Sequence, residues 1–390
     1  MELAKWPLYS EEEIKEVTKI LQSGKVNAWT GLQTKSFEKE FAKYINVQYA
    51  IALSNGTVAL TAAYKALGIK SGDQIITTPR TFIATSSTIL DLGAKPIFAE
   101  VDNDSGNITV DSIKPLINDS TKGISIVHLG GWPADMESIC KLAKEYSLYV
   151  IEDCSQAHGA SINGKKVGSF GDISTWSFCQ DKIISTGGEG GMVTTNNANL
   201  YNYISSLKDH GKNLKLINQK DSKHNYEFKW LHENVGTNYR LTEIQSAIGR
   251  IQLRNLDKNN SVRARNVRIL IKYLKDISFI RIPIPPDGFN HAWYKFYIYL
   301  EGAKSFSRNQ ALMKINENGA KAFSGSCSEI YLEKCFDSIG IDNKKRLPVA
   351  KKLGESSIML LVHHTITEKQ MNDYAHIIRK SLKELVEHRL

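Results

Sequence analysis

The sequence predicts an α/β fold: a large domain on a mainly parallel sheet of the seven-stranded type, followed by a smaller C-terminal α/β domain. Three observations carry this expectation. From about residue 48 to residue 195, short apolar runs alternate with longer amphipathic stretches, the rhythm of βαβ units. Several of the short runs lack polar alternation, which suits parallel strands covered on both faces. Finally, 390 residues are too many for one small domain, and the texture of the chain changes after about residue 250. The expected division is residues 1–250 for the large domain and 251–390 for the small one.

The strand candidates, in order, are QYAIAL, DQIITT, KPIFAEV, GISIVHL, LYVIED and STWSF. Between them lie the helix candidates TVALTAAYKALG, TFIATSSTILDLGA and DMESICKLAKEYS, the last with Asp135 placed as its N-cap. In such sheets ligands gather beyond the carboxyl ends of the strands. That rule singles out SNGT, PRTF, VHLGG, EDCSQ and SFCQDK. Later, a charged helix from about Leu253 to Lys275 leads through RIPIPPDG to the alternating strand HAWYKFYIYLEG, and TEKQMNDYAHIIRKSLKELVEHRL reads as an amphipathic terminal helix. The polar, poorly periodic NLKLINQKDSKHNYEFKWLHENVGTN is expected to be an extended loop near function.

Hydrophobic residues at 42% and charged residues at 23% are the balance of an ordinary globular protein, and 27 glycines with 9 prolines suggest neither a collagen-like nor a disordered class. No run of about 18 apolar residues offers a membrane span. The opening MELAKWPLYSEEEIKEV turns acidic early, unlike a secretory signal. Cys140, Cys154, Cys179, Cys327 and Cys335 are scattered without a CxxC pair. This pattern fits reduced thiols in a cytoplasm better than a disulfide framework, and no metal site is expected. The net charge of +9 agrees with an acidic substrate without selecting one. In SVRARNVRILIKYLK the basic residues alternate with Val, Ile and Leu at helical spacing, the pattern of a solvated helix face. No helix-turn-helix or zinc module points to nucleic acid.

Three places can carry chemistry. Asn55-Gly56-Thr57 joins a strand to a helix start, where backbone amides and the helix dipole favour an anion, although an ordinary βα turn reads the same way. Neither GxxxxGK[ST] nor GxGxxG follows a strand, so triphosphate and dinucleotide folds lose ground. Glu152-Asp153 ends the strand LYVI; a carboxylate there can bond a protonated ring nitrogen, hold a metal, or cap the loop. No second carboxylate or histidine at metal spacing lies near it in sequence. Lys182 follows an apolar strand and precedes Gly187-Gly188-Glu189-Gly190-Gly191. Schiff-base chemistry needs a lysine partly withdrawn from water. The glycines can make a hairpin turn or let backbone pass close to a ligand. An anion cradle, a carboxylate and a lysine at strand ends of one sheet are the parts that pyridoxal 5'-phosphate requires.

With these residues in view, the chain resembles the DegT/DnrJ/StrS-type nucleotide-sugar aminotransferases. These have the fold-type-I architecture of aspartate aminotransferase. The resemblance runs through SGKVNAWTGLQTKSFEKEFAKY, SNGTVAL, PRTFIATSS, VDNDSGNI, VHLGGWPADM, IEDCSQAHGA, SFCQDK and GTNYRLTEIQSAIGRIQL. It implies that Lys182 bonds the cofactor and shuttles protons and that Asp153 pairs with the pyridinium nitrogen. Phe82 would stack on the ring, Gln156 would lie near the ring and its hydroxyl, and Gly56, Thr57 and Ser177 would bind the phosphate. Asn238 would reach the phosphate of a neighbouring subunit, making a homodimer the minimal unit. It further implies amino transfer, with glutamate as donor, to a keto sugar on a nucleotide diphosphate, in amino-sugar biosynthesis for a surface polysaccharide such as O-antigen.

Other readings are an aminotransferase for a free cyclitol or amino acid, a pyridoxal-phosphate sugar dehydratase, and a non-enzymatic basic regulator. The similar dehydratases usually carry histidine at the lysine position, so Lys182 argues against that activity; the complete lysine, aspartate and phosphate set would be idle in a regulator. The chain departs from the family pattern in places. Gly130 stands where many relatives have an aromatic, ISTGGEGG is longer than the TGEGG of some members, and AFSGSCSEIYLEK stands where many have a segment containing proline and histidine. These departures bear on the sugar and not on the cofactor.

Overall fold

The computed structural model describes residues 2–213, 216, 230–303, 305–325, 328–339 and 345–387. Most of the loop expected near function, and Cys327, lie outside the described residues. Helices α1 (Glu11–Ser23) and α2 (Gln33–Ile45) precede strand β1 (Tyr49–Leu53). There follow α3 (Gly56–Ala66), β2 (Gln74–Thr77), α4 (Ala84–Asp91), β3 (Lys95–Phe98), α5 (Val110–Ile113), β4 (Thr121–Val127), α6 (Met136–Glu145) and β5 (Tyr149–Asp153). The short strands β6 (Ser161–Ile162) and β7 (Lys165–Lys166) lead to β8 (Ile173–Ser177), β9 (Gly191–Thr195) and α7 (Ala198–Leu207). After the helices Glu243–Arg254 and Leu256–Leu274 come β10 (Ile280–Arg281), β11 (Phe289–Asn290), β12 (Phe296–Leu300) and β13 (Ala322–Phe323). The helix Pro348–Ser356, β14 (Ser357–Leu360) and the helix Glu368–Glu387 complete the described chain.

The principal sheet has seven strands in the order β1-β9-β8-β5-β4-β2-β3. Only β9 runs against its neighbours, antiparallel to both β1 and β8; the pairs from β8 to β3 are parallel. Every residue of β8 and β9 is buried, as expected for strands with helices on both faces. A second sheet, β10-β12-β14-β13, is antiparallel throughout. Its core joins Ile298, Leu360 and Phe296 to Leu270, Tyr374 and Ile378 from two helices.

Local sequence explains most helix starts. Asn55 caps α3 by accepting from the Val58 N–H, and Asp135 caps α6 by accepting from the Ser138 N–H, as its sequence position implied. Helix α4 begins only at Ala84, because Thr81, Phe82 and Ile83 make the turn that leaves the sheet.

Three expectations change. The charged helix, expected from about Leu253, runs from Leu256 to Leu274, because the preceding helix Glu243–Arg254 ends at Asn255, whose N–H is shared between the Ile251 and Gln252 carbonyls. The strand expected in HAWYKFYIYLEG is confined to Phe296–Leu300. Before it, Trp293 takes a positive φ of 51° and stacks on His291 at 3.8 Å, which turns the chain out of the sheet. Arg263 is not on a solvated face. It is 1% exposed and donates to the Trp293 and Tyr294 carbonyls, because this helix packs its Arg263 and Asn266 side against the body of the protein.

Candidate active site

The carboxyl ends of β1, β2, β5 and β8 open into one cleft of about 610 Å3. Gly56, Thr57, Phe82, Asp153, Gln156, Ser177 and Lys182 all line it. These residues span more than 120 positions of sequence; the parallel sheet brings them together.

At one end the first turn of α3 meets the end of β8. A Cβ on Gly56 would stand 2.6 Å from the Cβ of Ser177, so only glycine lets the helix terminus and the serine come this close. Thr57 is exposed in the same turn, and the Ser177 hydroxyl accepts from the Cys179 N–H at 3.3 Å. Free amides at the start of an eleven-residue helix, two hydroxyls and no side chain at position 56 make a cradle for an anion.

The cleft floor carries Asp153, only 5% exposed. Its Oδ2 accepts from the Thr85 hydroxyl at 2.9 Å and its Oδ1 from the Ser155 N–H at 3.1 Å, which fixes the carboxylate plane. Gln156 is held through its Oε1, which accepts the Gly130 N–H at 2.8 Å. Phe82 is 57% exposed, a large aromatic face turned to the cleft and not the core. Gly130 itself has a φ of 64°, and a Cβ there would meet the Tyr297 ring at 3.1 Å. The tyrosine thus occupies the space that a side chain at 130 would need.

Strand alternation separates the two carboxylates left open by the sequence. Glu152 faces away from the cleft and is fully buried. It accepts from the Gly168, Phe170 and Gly171 amides at 2.7–2.8 Å and lies 3.3 Å from His128 Nε2. Burial alone would raise its pKa, but His128 and these amides hold it below the usual carboxylate range. His128, Glu152 and Cys154 lie close enough to chelate an ion, a proximity hidden by sequence distance. Their chemistry does not suit one. His128 Nδ1 already accepts the Ala134 N–H at 3.0 Å, the Glu152 oxygens are saturated by donors, and burial raises the Cys154 thiol well above its ordinary value.

Lys182 is half-buried in the hairpin between β8 and β9. Its N–H donates to the Cys179 carbonyl at 3.0 Å, and its own carbonyl accepts the Trp6 indole N–H at 2.9 Å. Gly187 and Gly188 take φ values of 85° and 125° and turn the hairpin. The Tyr9 hydroxyl accepts the Gly187 N–H, so the N-terminal segment braces the loop. Nearby His158 is fully buried, and burial, then Lys182 and Arg263, push its pKa down to about 3, leaving it neutral.

Asn238 is the one expected site residue outside the cleft lining. It is exposed and forms a bridge with Asp209, one residue from Tyr239, whose carbonyl accepts the Ser54 N–H beyond β1. Thr81, Thr85, Cys179, Asp181, Glu189 and Tyr294 line the cleft without having been singled out. For Thr85 a signal existed, since TFIAT places it one helical turn after Thr81. Tyr294 and Trp6 come from distant segments that no local pattern links to the lysine.

The motif order and this geometry agree with a whole-chain match: a family description covers residues 7–379. The chain belongs to the DegT/DnrJ/EryC1/StrS aminotransferase family. The aminotransferase from Psychrobacter cryohalolentis is 44% identical with a TM-score of 0.95, over 99% of this chain and 100% of that one. The GDP-perosamine synthase of Escherichia coli O157:H7 is 36% identical over 368 residues, 94% of each chain. The dTDP-3-amino-3,6-dideoxy-alpha-D-galactopyranose transaminase of Aneurinibacillus thermoaerophilus is 37% identical over 300 residues, 76% of this chain and 77% of its own. The fold is that of the fold-type-I enzymes, and the protein is an aminotransferase that uses pyridoxal phosphate. The donor set of this aminotransferase fits the cofactor: a glycine-made anion cradle, a buried carboxylate, an open aromatic face and a primary amine line one cleft.

Proposed function

We propose that this enzyme moves an amino group from glutamate to a keto sugar carried on a nucleotide diphosphate. The observation that carries the reading is the cleft itself. The Asp153 carboxylate and the Lys182 amine line one cavity with the Gly56–Ser177 cradle, and the two named sugar relatives match along most of the chain. Bound there, pyridoxal phosphate supplies a protonated ring that takes up electron density from the carbon bearing the amine. Gly56, Thr57 and Ser177 bind its phosphate, Phe82 covers a ring face, and Gln156 bonds beside the ring. Asp153, held by Thr85 and Ser155, keeps the ring nitrogen protonated. Lys182 Nζ would hold the cofactor and, when free, would carry a proton between the reacting carbons.

Asn238, exposed and off the cleft, supports a homodimer in which it reaches the phosphate of the neighbouring subunit. Residues 1–250 form the cofactor domain in this reading and 251–390 the smaller one. The net charge of +9 supports an anionic nucleotide substrate. Free Cys140, Cys154 and Cys179 support work in a reducing cytoplasm; no helix among the described residues is long and apolar enough to cross a membrane. Formation of a surface polysaccharide such as O-antigen is the role this assigns. The test mixes the holoenzyme, glutamate and a panel of GDP-, dTDP- and UDP-linked keto sugars, with free keto cyclitols as comparison. A gain of an amino group on a nucleotide sugar is expected by mass spectrometry. Amination of the free cyclitols alone would overturn the reading.

A further inference from the structure

Beside Lys182 stands a polar cluster that the amino-transfer chemistry above does not use. Lys182 Nζ lies 5.0 Å from the centroid of the Tyr294 ring, within the range of a cation–π contact. The Tyr294 hydroxyl donates to Asp181 Oδ2. Lys295 Nζ stands 3.7 Å from the same oxygen and 4.6 Å from the ring. Tyr294 is 5% exposed, and its carbonyl accepts from buried Arg263 at 3.5 Å, so the ring is fixed from both ends. Lys182 has its backbone clamped by Cys179 and Trp6, leaving the side chain as its moving part.

We propose that Tyr294 and Asp181 are positioning residues that seat the free Lys182 amine between the two half-reactions. The proposal rests on the reading of Lys182 as the lysine that bonds the cofactor. That lysine must let go when a substrate amine takes its place, and must return. Released into a cleft of about 610 Å3, a flexible four-carbon side chain has other carboxylates to visit, Asp153 and Glu189 among them. The tyrosine face offers a resting place without neutralising the amine through a direct ion pair. Burial first, then Asp181, raises the Tyr294 pKa well above its ordinary value, so the phenol stays a donor. Burial would raise the Asp181 carboxyl, but Lys182, Tyr294 and Lys295 hold it below its ordinary value, so it stays an acceptor. The other groups facing the amine are Cys179, His158 and Lys295, with Arg263 behind them.

The test reads the lysine directly. Cofactor-stripped protein is treated with limiting acetic anhydride, and acetylation of Lys182 is measured by peptide mass relative to exposed Lys141. Tyr294→Leu removes the face and should raise Lys182 acetylation about three- to tenfold; Tyr294→Phe keeps the face and should stay within about twofold. Asp181→Asn keeps an oxygen for the Tyr294 hydroxyl but removes the charge that faces the amine beside the ring, and should raise it about threefold or more. Thermal melts check folding, and if Tyr294→Leu does not fold, Asp181→Asn decides. In the loaded enzyme, Tyr294→Leu should lower kcat about tenfold with KM within about twofold, and Tyr294→Phe should restore most of it. Unchanged acetylation in Tyr294→Leu or Asp181→Asn, or Tyr294→Phe matching Tyr294→Leu, overturns the seat. Borohydride mapping of the cofactor lysine is independent of these labelling rates, so failure there would strike the underlying reading and not the seat.

Discussion

The Thr85 hydroxyl donates to Asp153 Oδ2 at 2.9 Å, inside the floor of the cleft. A hydrogen bond to a charged acceptor contributes about 1.5–3 kcal/mol. Thr85→Val keeps the shape and deletes the donor, so the melt should fall by a few degrees and amino transfer should slow as the carboxylate is released from its fixed plane. Asp153→Asn should be slower still yet remain folded and cofactor-bonded, because in the proposed role it removes the charge that would keep the ring nitrogen protonated. Rapid-mixing absorbance with glutamate reads both. Near-normal transfer in a folded Asp153→Asn protein would remove Asp153 from the ring nitrogen.

Gly56→Ala tests the anion cradle. Its added Cβ would sit 2.6 Å from Ser177 Cβ, so helix or strand must shift. Such overpacking costs about 1–3 kcal/mol. Cofactor affinity should fall by a larger factor than in Thr57→Ala, which adds no clash. Equilibrium dialysis giving equal, near-native affinities for the two variants would contradict the cradle.

Asn238→Ala asks whether the site is shared. Loss of one charge-assisted hydrogen bond to phosphate should weaken cofactor binding about tenfold to hundredfold. Dilution below the dimer dissociation constant should do the same to the native protein. Unchanged affinity in dialysis would remove Asn238 from the site.

How far the sequence could be read follows from what each residue depends on. The sheet, the α3 cap at Asn55 and the α6 cap at Asp135 were legible because short-range pattern determines them. The cleft lining from Gly56 to Lys182 was legible because strand ends in a parallel sheet converge on one edge. Burial of Arg263 was not, since its spacing matches a solvated helix face and only the fold brings the Trp293 and Tyr294 carbonyls to it. The late start of the HAWYKFYIYLEG strand escaped for a related reason: alternation runs back through Trp293, but its positive φ breaks the pleat. The His128–Glu152 contact joins neighbouring strands β4 and β5, so nothing at metal spacing announced it.

Acid should unfold the protein through its histidines. Burial, with cations nearby at His158 and His363, pushes the pKa values of His158, His291 and His363 down to about 3. Each is therefore neutral in the fold and gains a proton on unfolding below its ordinary value near 6.5. Their contribution is fully present above pH of about 6.5 and is lost as pH falls toward about 3, by up to about 1.4 kcal/mol per pH unit for each. The urea midpoint should fall steadily from pH 6.5 to pH 4.5, and His291→Gln should flatten the slope. A midpoint independent of pH in this window would contradict the neutral assignment.

The central claim is that Lys182 bonds the cofactor in this cleft. The holoenzyme should be yellow, and borohydride should fix the pyridoxyl group irreversibly. Peptide mass mapping after reduction should find it on Lys182, within the peptide that follows the strand ISTWS, with Lys182→Ala left colourless. Recovery of the group on another lysine, or on none, would contradict the account.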